Sequence, residues 1–168
     1  QFAISVPHTE KFFPNIATIA DDYGSMFPTV KGEGGEPMWL SAFDRELLGL
    51  LSRETWETPF DLLVGDFVDQ FHFVGDLAMV ARLEAWAQED EEAPYVEGRP
   101  VDDPAGLFER REYRLTERGE ALIEEGFGEE DSAPVLELGN CRIYAGPTPW
   151  VRVIEGEHWF FERFEGGR

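Results

Sequence analysis

The chain has 168 residues, of which 42% are apolar and 14% aromatic, enough for one ordinary domain with a hydrophobic core. This composition excludes an intrinsically disordered chain, which needs few aromatic residues and low hydrophobicity. Asp and Glu number 35 against 14 Lys and Arg, and the resulting formal charge of −21 argues against nucleic acid or an anionic membrane as a partner, because both attract basic surfaces.

The first predicted element is a helix over residues 14–27. Its apolar residues recur at helical spacing, with Pro14 at the start and Pro28 closing it. The glycines and proline of residues 31–37 predict a loop. We therefore expect a first segment, residues 1–37, that packs on the core.

Three further helices are predicted in quick succession, each from a start signal followed by an apolar stripe. Ser41 with Asp44 has the spacing of a capping box, and Thr58 with Asp61 is a second start of this kind. Asp76 can cap a third helix that runs to about residue 88. The residues predicted to be buried in these helices are Phe43, Leu47, Leu48, Leu50, Leu51, Leu63, Val64, Phe67, Val68, Phe71, Leu77, Val80, Leu83 and Trp86.

The remainder is predicted to be a loop, a strand, a helix and a β segment. A proline-rich charged loop reaches about Ala105, and a strand follows over residues 107–115. Thr116 caps a last helix, and Gly126 ends it in the position where glycine fits most easily. Short strands are then predicted over residues 141–145, 150–154 and 158–164, with a turn at Glu155-Gly156.

This order of elements predicts an α+β fold. Three helices followed by a loop, a strand and a helix is the order of a winged helix, so we predict a winged-helix-like core over residues 38–126. Residues 127–168 are predicted to form a C-terminal β-hairpin or small antiparallel sheet.

Residues 106–123, GLFERREYRLTERGEALI, resemble the wing and following helix of bacterial antibiotic-resistance-type regulators. In those proteins a G-L-x-x-R-R stretch precedes a strand that ends in an L-T-x-x-G turn. Here the strand ends at Leu115, Thr116 caps the next helix, and Gly119 permits tight packing of the helix on the sheet.

A longer stretch, roughly residues 20–165, is similar to the C-terminal half of an uncharacterised bacterial domain-of-unknown-function family. Its full-length members carry an N-terminal α/β domain before a helical segment and a wing. The matching stretches are residues 26–28, 40–41, 44–48, 73–77, 82–83, 113–116 and 138–140. The resemblance implies a fragment that lacks the N-terminal domain. The start at Gln1 rather than Met also predicts a fragment of a longer protein, unless only a few residues are missing. It carries over no activity.

The only basic cluster consists of Arg110, Arg111, Arg114 and Arg118, with four glutamates interleaved, so neutral pairs on a surface are the expected arrangement. The third helix, as a recognition helix, would offer Arg82 against six acids over residues 76–92 and would be repelled by phosphates. We therefore predict a non-catalytic interaction or regulatory domain that binds a protein through its acidic surface. A winged-helix DNA binder is the alternative.

The candidate interaction residues are Arg110, Arg111, Arg114, Arg118 and Trp159, the last in the aromatic-rich final strand. The expected partner is a basic protein or the missing N-terminal domain. An acidic surface adapted to a salty cytoplasm, and mimicry of nucleic acid, are the other interpretations of the charge.

The sequence predicts no metal, cofactor or catalytic residue. His8, His72 and His158 are scattered, without an HExxH motif, and Cys141 is the only cysteine. Cys141 and His158 could form a thiol–imidazole pair if they lay on neighbouring strands, so an unrecognised hydrolase is the third hypothesis. The lone cysteine, together with the lack of an 18-residue apolar run and of a signal peptide, predicts a cytoplasmic protein without a membrane span.

Overall fold

The computed structural model describes residues 2–3, 23–31, 40–63, 76–87, 93–127, 136–138, 141–143, 150–156 and 158–163. Most of the predicted helix over residues 14–27, and the second predicted helix beyond Leu63, lie outside these ranges. None of the described helices has the length and apolar character needed to cross a membrane.

The described residues form an α+β fold. The helices are α1 (Ala42–Gly49), α2 (Pro59–Leu63), α3 (Asp76–Trp86) and α4 (Glu117–Glu125), with a 3-10 turn at Leu107–Glu109. The strands are β1 (Phe2–Ala3), β2 (Thr29–Lys31), β3 (Val96–Pro100), β4 (Arg111–Leu115), β5 (Leu136–Leu138), β6 (Cys141–Ile143), β7 (Trp150–Glu155) and β8 (His158–Arg163).

The starts of α1 and α2 follow the predicted capping signals, whereas Asp76, predicted to cap α3, is its first helical residue. The hydroxyl of Ser41 accepts a hydrogen bond from the backbone amide of Asp44 at 3.0 Å. Thr58 and Asp61 form a reciprocal capping box, in which the Thr58 hydroxyl accepts from the Asp61 amide at 3.3 Å and the Asp61 carboxylate accepts from the Thr58 amide at 2.9 Å. These starts are set by residues three apart in sequence, which is why they could be predicted.

Helix α4 begins and ends as predicted. Thr116 caps it by accepting from the Gly119 amide at 3.0 Å, and Gly126 ends it with a φ of 81°, which a side chain would disfavour. A Cβ on Gly119 would lie 2.2 Å from the carbonyl oxygen of Tyr95 and 2.7 Å from Leu115. The predicted tight packing of this helix on the sheet is therefore confirmed.

The main core lies between α1, α3, α4 and the strands β3 and β4. Its buried members are Met26, Leu40, Phe43, Leu47, Leu48, Leu51, Leu62, Met79, Leu83, Trp86, Ala87, Tyr95, Val96, Tyr113, Leu115 and Leu122. The prediction that Leu50 and Leu77 are buried is wrong, since they are 39% and 67% exposed. Helix α3 instead turns Met79 and Arg82 inward, because Arg82 has an acidic partner in the core.

Strands β3 and β4 form an antiparallel hairpin, with Val96 opposite Leu115 and Pro100 opposite Arg111. Residues 93–105 were predicted to be a loop, so β3 corrects that prediction, and the predicted strand over residues 107–115 begins only at Arg111. The sequence VEGRP carries a glycine, a proline and two charges, and pairing with β4 rather than local preference makes it a strand. On the other side of β4, Glu57 and Tyr113 exchange backbone hydrogen bonds of 2.9 and 2.8 Å.

A second sheet has the strand order β1-β8-β7-β2. The predicted C-terminal hairpin is confirmed in the antiparallel pair β7 and β8, which turns at Gly156 with a φ of 61°. The sheet is mixed rather than purely antiparallel, because β2 pairs parallel with β7. Strands from both ends of the chain thus share one sheet, while β5 and β6 pair separately.

Candidate functional site

The outward face of the β3–β4 hairpin carries two cross-strand pairs of opposite charge. Side chains alternate between the two faces of a strand, so Glu97 and Arg99 share this face with Glu112 and Arg114, their register partners. Arg114 Nη2 lies 2.7 Å from Glu97 Oε2, and Arg99 Nε lies 2.5 Å from Glu112 Oε1. Each arginine is therefore neutralised by the carboxylate opposite.

Trp56 lies against both of these arginines. The guanidinium carbon of Arg99 is 4.0 Å from the centre of the Trp56 ring, and that of Arg114 is 4.7 Å away. Trp56 reaches them because Glu57, the next residue, bridges to β4. We call Trp56, Glu97, Arg99, Glu112 and Arg114 the hairpin face. It is an aromatic surface with balanced charge.

The inward face of the hairpin is tied to α3 through Tyr113. Its hydroxyl donates to Glu84 Oε1 at 2.6 Å, and Arg111 Nε lies 3.4 Å from the same oxygen. The pKa of Tyr113 is raised well above its ordinary value. The largest cause is burial of its hydroxyl, and the hydrogen bond to Glu84 and the negative charge of Glu84 add to it. The hydroxyl therefore stays neutral, and the hairpin is fixed against α3.

The four arginines singled out by sequence do not form a basic patch. Arg111 and Arg114 are paired with Glu84 and Glu97, so the expected neutral pairs form with glutamates other than those interleaved with the arginines. Arg118 lies over the Tyr95 ring at 4.1 Å and donates to its hydroxyl at 2.9 Å. Arg110 is exposed, and no ion pair joins it to another residue in the described ranges.

Trp159 lies on the other sheet, in β8, and is partly buried. Its ring stands edge-on to Phe161 at 5.3 Å, and the guanidinium carbon of Arg152 lies 4.5 Å from its centre. Phe160, on the opposite face of the strand, packs on a small core of valines from β2 and β7. Trp159 therefore belongs to the packing of the second sheet and not to the hairpin face.

The arginine of the third helix is not available to a ligand, because Arg82 is fully buried in an ion pair with Asp44. Arg82 Nε lies 2.5 Å from Asp44 Oδ1, which also accepts from Trp86 Nε1 at 2.9 Å, while Arg82 Nη2 donates to the carbonyl of Met26 at 3.2 Å. The capping role predicted for the Asp44 carboxylate therefore needs correction, since it joins α1 to α3. Ser41, the other residue of the predicted capping box, donates to this carboxylate through its hydroxyl at 2.6 Å.

A cleft of about 640 Å³ opens beside the start of α4. Leu51 and Leu115 provide buried apolar lining, and Arg53, Glu54 and Glu120 provide charged lining. Arg53 Nη1 lies 2.9 Å from Glu120 Oε2. The sequence did not place these residues together, because the segment after α1 and the start of α4 are far apart along the chain.

The strands of Cys141 and His158 decide whether the two residues could form the predicted thiol–imidazole pair. Cys141 lies in β6 and His158 in β8, which belong to different sheets, so they are not on neighbouring strands. Within the described ranges, no three His, Cys, Asp or Glu side chains are grouped so that they could hold a metal ion.

Sequence reasoning missed three members of the hairpin face: Trp56, Glu97 and Arg99. Their sequence signal is weak, because Trp56 only precedes the Thr58 helix start, and Glu97 and Arg99 lie in a segment whose composition predicts a loop.

No family model, curated protein or solved structure matches this chain. The resemblances to the bacterial domain family and to the regulators therefore stay predictions.

Proposed function

We propose that residues 38–126 form a winged-helix-like domain that binds a basic protein rather than DNA. The order of the elements supports the architecture: α1, α2 and α3 precede the β3–β4 hairpin, and α4 follows it. The bridge from Glu57 to Tyr113 ties the segment between α1 and α2 to the hairpin.

The neutral hairpin face is the observation that carries the proposal. A wing that binds DNA holds phosphates with Lys and Arg side chains, and each such contact releases counterions. Here Arg99 and Arg114 are bonded to glutamates and stacked on Trp56. Breaking those pairs to bind phosphate would leave carboxylates facing the nucleic acid.

Helix α3 supports the same conclusion. Its arginine is buried, while Asp76 at its first turn is exposed and Glu84 is partly exposed. A helix that enters the major groove contacts base edges between two rows of phosphates. The charged groups that α3 offers to solvent in the described ranges are acidic and would be repelled there.

A basic protein is the complementary partner. Thirty-five acids against 14 bases create a negative field that attracts cationic surfaces and speeds their association. Trp56 adds an aromatic group of the kind that is enriched in protein interfaces.

Fluorescence anisotropy tests the proposal with three labelled probes: a 20-base-pair duplex, an arginine-rich peptide and a glutamate-rich peptide of equal length. We expect the arginine-rich peptide to bind, with affinity that falls as salt is raised. The acidic peptide should not bind. The duplex should bind no tighter than about 10⁻⁴ to 10⁻⁶ M, the ordinary range of non-specific affinity.

Submicromolar binding of the duplex at physiological salt, lost in the Arg110→Ala/Arg111→Ala variant, would instead establish the DNA-binding alternative. Failure of the arginine-rich peptide to bind at low salt would refute the acidic-surface proposal.

A further inference from the structure

The cleft beside α4 combines a cavity with an apolar floor and an acidic rim. Leu51 and Leu115 are almost fully buried at its floor, whereas Glu54 and Glu120 are exposed at its rim. Its volume of about 640 Å³ is ample for one long side chain. The floor can cover an aliphatic stem, and the rim can bind the charge at its end.

Resting on the proposed function, we propose that this cleft receives a single arginine or lysine side chain of the basic partner. Such side chains lay their methylene stems along apolar surface and keep the cationic end near water. The stem would lie over the small exposed parts of Leu51 and Leu115, and the cation would meet the carboxylates of Glu54 and Glu120. The site is thus a pocket for one basic residue within a larger acidic surface.

The chain's own Arg53 already occupies part of this position. Its Nη1 is 2.9 Å from Glu120 and its Nη2 is 4.0 Å from Glu117, yet its side chain remains 47% exposed. Glu54 pairs with no basic side chain in the described ranges. Arg53 therefore competes for Glu120. An incoming cation must displace the Arg53 guanidinium from this carboxylate or share the carboxylate with it.

An anionic ligand fits the same cleft poorly. Arg53 is its only cationic lining group among the described residues, and it is bonded to Glu120. A phosphate or carboxylate would have to break that pair and lie beside Glu54. The two ligand classes therefore predict opposite effects of Arg53→Gln. The substitution should strengthen the binding of a cation and weaken the binding of an anion.

The experiment is an NMR titration of the ¹⁵N-labelled protein with a heptapeptide of six glycines around a central arginine, capped at both ends. The matched probe carries citrulline, which keeps the shape of arginine without its charge. We expect the arginine peptide to shift the amide signals of Ser52, Glu54 and Glu120 in a saturable way. The citrulline peptide should leave those signals in place.

Variants then separate this site from the rest of the acidic surface. Glu54→Gln and Glu120→Gln should each weaken binding about threefold, the effect of one partly exposed ion pair. Glu155→Gln, which makes the same charge change in the turn of the second sheet, should leave the affinity unchanged. Arg53→Gln should strengthen binding about threefold, because it removes the competing internal cation.

Each outcome bears on the pocket alone or on the proposed function as well. If the arginine peptide binds but shifts signals elsewhere, or if Glu155→Gln weakens binding as much as Glu120→Gln, the pocket is refuted while the acidic-surface function stands. Weaker binding in Arg53→Gln would also refute the pocket. If neither this peptide nor the arginine-rich peptide binds at low salt, both proposals fail.

Discussion

Single arginine side chains hold together the described parts of this protein in a way that lysine could not. The planar guanidinium of Arg114 stacks on Trp56 while it donates to Glu97, and Arg118 likewise stacks on Tyr95 while it donates to its hydroxyl. An ammonium group has no flat face to stack while its donors point sideways. Of the 14 basic residues only Lys11 and Lys31 are lysines, and the others are arginines that can bond in this way.

The buried pair of Arg82 and Asp44 gives the first prediction at the residue scale. Arg82→Met should lower the free energy of unfolding by about 3–5 kcal/mol, because it leaves the Asp44 carboxylate buried without its cation. Arg53→Met is the matched control at an exposed pair and should cost at most about 1 kcal/mol. Urea denaturation of both variants measures the difference.

A second substitution separates charge burial from lost packing. Adding Asp44→Leu to Arg82→Met removes the stranded carboxylate and should recover part of the lost stability. If Arg82→Met is no more destabilising than Arg53→Met, or if the double variant is less stable than Arg82→Met, the pair does not act as an obligatory charge pair.

The buried Tyr113 hydroxyl predicts a loss of stability at high pH. The pKa of Tyr113 is raised in the folded protein, while in the unfolded chain it is about 10. Above pH 10 the unfolded chain releases this proton and the folded protein does not, so the free energy of unfolding falls by up to about 1.4 kcal/mol per pH unit. Below pH 10 both states keep the proton, and this contribution does not vary.

Urea denaturation at pH 9 and pH 11 tests this prediction. Tyr113→Phe should reduce the difference between the two pH values, because phenylalanine has no proton to release. Tyr23→Phe, at a tyrosine that is 44% exposed, is the matched variant and should keep the wild-type difference. Equal behaviour of the two variants would contradict the argument.

At the scale of elements, structural features set by residues close in sequence were predictable, and features set by a partner far along the chain were not. The helix starts at Ser41, Thr58 and Thr116 depend on hydrogen bonds within four residues, so the sequence displays them directly. Strand β3 depends on pairing with β4, and its own sequence resembles a loop. The inward turn of Arg82 depends on Asp44, 38 residues earlier. The hairpin face was missed for the same reason, since Trp56 meets Arg99 only after folding.

The docking of α4 on the core gives the prediction at this scale. Leu122 is buried against the core, so Leu122→Ala should lower the free energy of unfolding by about 2–5 kcal/mol. Leu77→Ala, the same change on the exposed side of α3, should stay within about 0.5 kcal/mol. Chemical denaturation of the two variants measures the difference, and a loss below about half a kcal/mol for Leu122→Ala would mean that α4 does not dock on the core through Leu122.

At the scale of the whole molecule, the acidity of the described residues belongs to the surface, since Asp44 is the one buried carboxylate among them. Except for Arg110, every arginine whose side chain is described bonds or stacks within the protein, for example Arg45 to the carbonyl of Ile123 and Arg163 on Trp150. Fourteen bases cannot pair 35 acids, so most carboxylates face water and one another. A negative field of this kind is what the proposed basic partner would meet first.

This surplus predicts that salt stabilises the protein. Twenty-one excess negative charges on a 19.1 kDa chain repel one another and lower the stability of the compact state. Salt screens that repulsion, because the Debye length falls from about 30 Å at 0.01 M to about 3 Å at 1 M. It also screens the exposed pairs such as Arg53 with Glu120, but these contribute little to the stability.

The melting temperature should therefore rise between 0.01 and 1 M sodium chloride, mostly in the first few hundred millimolar. Thermal melts measure it directly, and a flat or falling melting temperature would mean that attraction between paired charges outweighs repulsion among the surplus acids.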